Sequence, residues 1–308
     1  MRLTALIDLG PGLGLMALVA ALAWTILWLR GGGPAEREGH WKRWSLLAGL
    51  LLLGVAFFSP LADLASHQLL TAHLIQVTLV MGFVPPLLLL SLPASITRSV
   101  PPWISRPGRV VTQPVVATLL VNLVFFAWHS SAPYNAALAD ARLYALQQAS
   151  LLLVSLAFWW PIVGPRTSSR PGMAPFAKLG YILLATIPHT FAGMTVALAK
   201  HPLYAAYERA PRAFGLGVMA DQQMAGACMA LVSKLALFTA FSVVFARMLT
   251  ERSADDDDDD RGERGPQPQG PTPTLGTTPM PGWLGRVESG DTVSEPEPAP
   301  QRTPVPVG

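Results

Sequence analysis

One cysteine, Cys228, in 308 residues leaves no internal disulfide and no CxxC-type metal or redox motif. Charge is scarce as well. Asp, Glu, Lys and Arg make up 13% of the chain, against about a quarter in soluble domains. With 51% hydrophobic residues, an ordinary soluble protein is excluded. No basic cluster coincides with interleaved aromatics, which argues against a nucleic-acid partner. GxSxG, HExxH and P-loop patterns are missing, and no pair of carboxylates sits within apolar segments. Hydrolysis and group transfer therefore have no visible machinery, and the chain does not read as an enzyme.

Long apolar runs are what the chain has in quantity. Segments at approximately 13–30, 44–61, 67–92, 114–131, 142–163, 176–199 and 221–249 each meet the length of a membrane-crossing helix. They are continuous rather than alternating, which favours helices over a barrel. The expected fold is all-α and polytopic, with seven transmembrane helices in residues 1–250. Trp24, Trp28, Trp44, Trp103, Trp128, Trp159 and Trp160 lie mostly near segment ends, as an interfacial belt requires. Arg2 and Ala21-Leu22-Ala23 imitate a signal peptide, but Asp8, Gly10, Pro11 and Gly12 interrupt its apolar region, so the first segment reads as retained.

Orientation follows from basic residues in the short loops. One side would hold Arg30, Arg37, Lys42, Arg43, Arg98, Arg106, Arg109, Arg166, Arg170, Lys178, Arg247 and Arg252. The other would hold only Arg2, Arg142, Lys200, Arg209 and Arg212. The positive-inside bias predicts an outside N-terminus and a cytoplasmic C-terminus. Beyond residue 250 the composition changes to the acidic run Asp255–Asp260 and eleven prolines between Pro266 and Pro306. Residues 251–308 are expected to form a disordered cytoplasmic tail.

Polar residues gather in one leaflet. Within the third segment His67 falls at the outer rim, His73 about 9 Å deeper, and Gln76 a turn below. The fourth segment ends in Trp128-His129-Ser130, followed by Pro133 and Tyr134. The fifth begins with Tyr144, Gln147 and Gln148, and the seventh with Asp221, Gln222 and Gln223. A site open to the outer side follows. His73 and His129 are metal-ligand candidates, since imidazole is the commonest metal ligand. Met224 and Cys228, at i,i+4, would suit a soft ion such as Cu(I), although such pairs more often pack. The glutamines also read as interhelical hydrogen-bonding groups. His189 after Pro188 and Lys234 fall at mid-depth, where a proton-linked or solute path would need polar groups. A retinal-type Schiff base at Lys234 fails because the third segment lacks a carboxylate counter-ion.

Four stretches carry a resemblance: AHLIQVTLVMGFVPPLLLL, WHSSAPYNAAL, FWWPIVG and PLYAAYERAPRAFGLGVMADQQMAG. Together they resemble the CtaG family of caa-type cytochrome c oxidase assembly factors, over roughly residues 10–250. The resemblance implies a multi-pass protein of the bacterial plasma membrane that partners oxidase subunits and acts at the copper-centre step. By position it implies roles for His73, Gln76, His129, Pro133, Tyr134, Trp160, Asp221, Gln222 and Gly226. Two departures stand out. Val77 occupies the place of a second histidine, and Gln147-Gln148 the place of Glu-His. Three functions stay open: a copper-presenting assembly factor, a copper or proton-coupled transporter using the same cavity, and a ligand-free scaffold for oxidase subunits.

Overall fold

Trp41–Phe58 (α1) opens the helical order in the computed structural model, which describes residues 40–92, 102–165 and 172–263, with Leu22 and residues 24–26. After α1 come α2 (Pro60–His67), α3 (Leu70–Thr78), a π-helical turn at Leu79–Phe83 and α4 (Val84–Ser91). Then follow α5 (Pro102–Val111), α6 (Pro114–His129), α7 (Ser131–Ala139), α8 (Ala141–Val163) and α9 (Pro175–Leu198). The one-turn α10 (Ala205–Glu208) and the long α11 (Val218–Glu263) complete the order, and no strand occurs among the described residues. Residues 1–256 form one unit, within which all the packing described below falls.

Among the described residues, five helical stretches are long and apolar enough to cross a membrane: Trp41–Phe58, Leu70–Ser91, Ala141–Val163, Pro175–Leu198 and Val218–Thr250. A sixth forms if α6 and α7, bent by 70° at Ser130, count as one. Six of the seven expected segments thus have counterparts. The expected segment 13–30 lies outside the described residues apart from Leu22 and residues 24–26. α11 runs past residue 250 to Glu263, so the acidic run assigned to the tail is helical. Residues 264–308 lie outside the described residues.

The third expected segment differs at its start. His67 closes α2 instead of opening a span, and its ring faces Asp63 at 3.3 Å with both side chains exposed. Gln68 and Leu69 leave helical geometry, and α3 begins afresh at Leu70. The far half obeys its prolines. Pro85 and Pro86 have no N–H to donate, so the ladder shifts to a π turn in which Val84 N–H reaches Leu79 O. In a regular helix Met81 O would receive its bond from residue 85. Here the Trp159 indole N–H supplies it at 2.9 Å. The Trp159→Phe variant leaves that carbonyl without its donor, a cost of about 1–3 kcal/mol. A lowered unfolding midpoint of the purified protein in detergent micelles is expected, and an unchanged midpoint would show that the carbonyl needs no donor.

α1 lies along α4. Leu46, Leu53, Ala56 and Phe57 pack with Val80, Val84 and Leu88, and the Ser45 hydroxyl donates to Leu87 O at 2.7 Å. α9 and α11 cross at small residues. A Cβ on Gly226 would meet Gly193 O at 2.6 Å and Ala197 Cα at 2.8 Å, so the two backbones touch. That contact sets the register of α11 and of the polar residues at its start.

Candidate functional site

Asp221 is the residue that holds the site's first helix. Leu69 offers α3 no side-chain cap, yet four N–H groups at a helix start need acceptors. The Asp221 carboxylate, 4% exposed, accepts from Leu70 N at 2.7 Å and from Thr71 N at 3.0 Å. The Thr71 hydroxyl returns a bond to Asp221 O at 2.9 Å. A carboxylate at a helix N-terminus also meets the positive end of the dipole. Gln222, beside it, accepts from Leu203 N at 2.8 Å and donates to the carbonyls of Val196 and His201. Both residues act by fixing backbone: Asp221 the start of α3, Gln222 the loop after α9.

One turn into α3 sits His73, fully buried, against rings from three other elements. Its centroid lies 6.0 Å from His129 on α6, 4.9 Å from Tyr134 on α7 and 5.8 Å from Tyr144 on α8. Hydrogen bonding settles both imidazole tautomers. His129 Nδ1 is 2.8 Å from Phe125 O, which can only accept, so Nδ1 carries the proton. The Gln76 amide donates to Ala56 O at 2.7 Å, which directs its oxygen toward the Tyr144 hydroxyl, and that hydroxyl donates to it. With its proton spent there, the Tyr144 oxygen faces His73 Nδ1 at 3.4 Å as an acceptor. In the neutral ring each Nε2 therefore holds a lone pair, and each is buried without a hydrogen-bond partner among the described residues.

Other orphaned polar atoms lie along the same helices. Gln147 and Gln148, 0% and 1% exposed, have no hydrogen-bond partner among the described residues for either amide atom. Gln148 comes near enough to the Tyr144 hydroxyl to interact with it electrostatically, though outside bonding geometry. Ser155 Oγ, further along α8, is also unpartnered. Native structures leave few such groups, and two amides plus two imidazoles are costly to bury empty-handed.

Tyrosines cover the end of the bundle that holds the histidines. The Tyr134 and Tyr207 hydroxyls are 3.1 Å apart, and Tyr207 donates to Ala65 O at 2.7 Å. Tyr204 donates to His129 O at 2.8 Å, supplying a helix-end carbonyl that Pro133 cannot serve. Burial pushes the Tyr204 hydroxyl up to about 12, so it keeps the proton it donates. Tyr144, placed by its sequence position among the polar residues of this end, belongs to the site, as do Tyr204 and Tyr207, to which sequence reasoning gave no role. The only local signal for the last two was their place in the stretch before Asp221.

His189 and Lys234 come together elsewhere. With Met229 and Ser155 they line a cavity of about 70 Å³ in the middle of the bundle. Phe125 separates it from the histidine pair, its ring 4.0 Å from His129 and 4.5 Å from His189. Met224 is 45% exposed and Cys228 half-buried, while Ala225 and Met229 present the packed face of α11. Among the described residues no three His, Cys, Asp or Glu side chains gather as a metal site. Cys228 therefore does not join His73 and His129, and Met229 takes the inward position expected of Met224.

A buried imidazole pair, set by Gln76 and Tyr144 and roofed by tyrosines, is the feature that the family-matching stretches converge on. No curated protein and no solved structure matches the chain. The family model described as cytochrome c oxidase caa3 assembly factor (Caa3_CtaG) matches residues 21–251, which takes in every residue of the site. The chain is a membrane-spanning helical protein belonging to the cytochrome c oxidase caa3 assembly factor family.

Proposed function

We propose that this protein holds copper as cargo at His73 and His129 and presents it, at the outer face of the plasma membrane, for the copper centre of a cytochrome c oxidase subunit. One observation carries the reading: two neutral imidazoles in contact, each with a buried Nε2 lone pair that nothing among the described residues satisfies. Imidazole is a ligand for copper. The surroundings supply tyrosine hydroxyls and the neutral amide of Gln148, with no carboxylate among the described residues to offset a second positive charge, since the Asp221 carboxylate is spent on α3. Such a donor set fits a monovalent ion better than a divalent one. Met224 and Cys228 have no part in it. The outer placement rests on the loop charges, with the C-terminus of α11 in the cytoplasm.

Copper content of the purified protein tests the proposal, read beside oxidase activity in a deletion strain. Wild type is expected to carry about one copper per chain, and His73→Ala or His129→Ala to fall to background. Neither variant should restore oxidase activity, and added copper should rescue it in part. Equal background metal in all three proteins would leave the ligand-free scaffold as the better account. The transporter reading narrows at the cavity beside Lys234. At about 70 Å³ it is about half the size of a cavity that admits benzene, so it has room for waters or a small ion and not for a larger solute.

A further inference from the structure

Across Phe125 from the histidine pair lies the cavity that His189 and Lys234 share. Its wall is drawn from α3, the π turn, α6, α8, α9 and α11, and every lining residue falls among the described ones. Most of that wall is apolar, with polar side chains at four points. Ser155, 1% exposed, has no hydrogen-bond partner for its Oγ among the described residues. The Thr78 hydroxyl donates to Leu74 O at 2.7 Å and can still accept. His189 and Lys234 complete the four. Cavities that stay dry are apolar, whereas a buried water needs space and two to four polar partners. A volume of about 70 Å³ has room for about two waters at their liquid density, and the polar groups are there to hold them.

We propose that this cavity is a binding site for ordered water, and that Phe125 is the partition keeping its water from the Nε2 lone pairs of His73 and His129. Phe125 is 2% exposed and belongs to both compartments. Its ring stacks on His129 at 4.0 Å and 21°, and lies 4.5 Å from His189. Its carbonyl takes the His129 Nδ1 proton at 2.8 Å, so one residue fixes both the plane and the tautomer of that imidazole. Water reaching the pair would satisfy the two nitrogens and compete with a soft ion for them. The partition thus preserves the donor pair on which the copper proposal rests, while the water site itself stands independently of copper.

Water-edited solid-state NMR of the metal-free full chain in lipid bilayers tests both halves, with isotope-labelled histidine. Signals lost in His73→Ala, His129→Ala and His189→Ala assign the three rings. In wild type, magnetisation transfer from water is expected to be about fivefold stronger at His189 than at His73 and His129. Ser155→Ala should weaken transfer at His189 by about half, since the waters lose one of their partners. Phe125→Ala should raise transfer at His129 to the level of His189. Phe125→Leu loses the ring stack but keeps an apolar wall, so it should leave His129 dry; a rise in both variants alike would make the ring a support and not a partition. Equal transfer at all three rings in wild type, or no gain at His129 in Phe125→Ala, overturns the partition. Transfer at His189 as low as at His73 overturns the water site. Should Phe125→Ala fail to fold, the wild-type pattern and Ser155→Ala decide. Copper enters none of these measurements, so their failure is distinct from failure of the copper proposal.

Discussion

Gly226→Leu is expected to strip the folded protein from the membrane fraction. The contacts facing this position are backbone atoms, Gly193 O and Ala197 Cα among them, which cannot rotate out of the way as a side chain end would. Even the methyl of Gly226→Ala must force α9 and α11 apart. Overpacking costs about 1–3 kcal/mol where side chains can yield, and here at least about 3 kcal/mol is expected, because only helix separation relieves the clash. Residue 226 lies just over a turn beyond Asp221 and Gln222, so separation also withdraws the supports of α3 and of the loop after α9. Membrane abundance and the unfolding midpoint in detergent measure the effect. A wild-type midpoint for Gly226→Ala would show that the helices have slack at this crossing.

Asp221→Ala should come next, at roughly 3–5 kcal/mol, since it removes two charge-assisted hydrogen bonds and strands two N–H groups at the start of α3. Asp221→Asn keeps one acceptor oxygen and is expected to fall between wild type and alanine. The defect should be local. Hydrogen exchange at Leu70 to His73 should speed up strongly, with α8 much less affected. The bound copper proposed above should fall along with it, although Asp221 is no ligand, because the helix that carries His73 loses its anchor. Exchange that rises equally everywhere would make Asp221 a general stability residue.

Much of this architecture was readable from apolar run length, because six runs have to cross an apolar slab and composition registers that need directly. Interruptions were harder to read. Leu69 breaks the third segment with no proline or glycine to announce it, since the new helix start is held by a carboxylate about 150 residues away in the chain. The Asp-Gln-Gln stretch drew attention by its polarity at the start of an apolar run, but residue type alone could not separate a carboxylate that holds a backbone from one that faces a ligand. Met224 and Cys228 share a helix face by spacing, yet spacing does not say which face meets the bundle. The crossing at Gly226 decides that, and it turns Met229 inward. His73 and His129 met because both lie near the same end of segments that pack together, which depth reasoning anticipates. The roles of Gln76 and Tyr144 in setting a tautomer needed coordinates, as they depend on which oxygen is already engaged.

The bond between Asp221 and the start of α3 also has a consequence in time. A ribosome adds about 5–20 residues per second, so the 151 residues from Leu70 to Asp221 represent about 8–30 s of synthesis. Through that interval the His73 helix is already made and has no acceptor for its first N–H groups. It can mature only when α11 has been made and has met α9 at Gly193. The histidine pair is therefore completed only after Asp221 is synthesised, and a chain that stops before it, even one carrying both histidines, has no finished place for the copper proposed above.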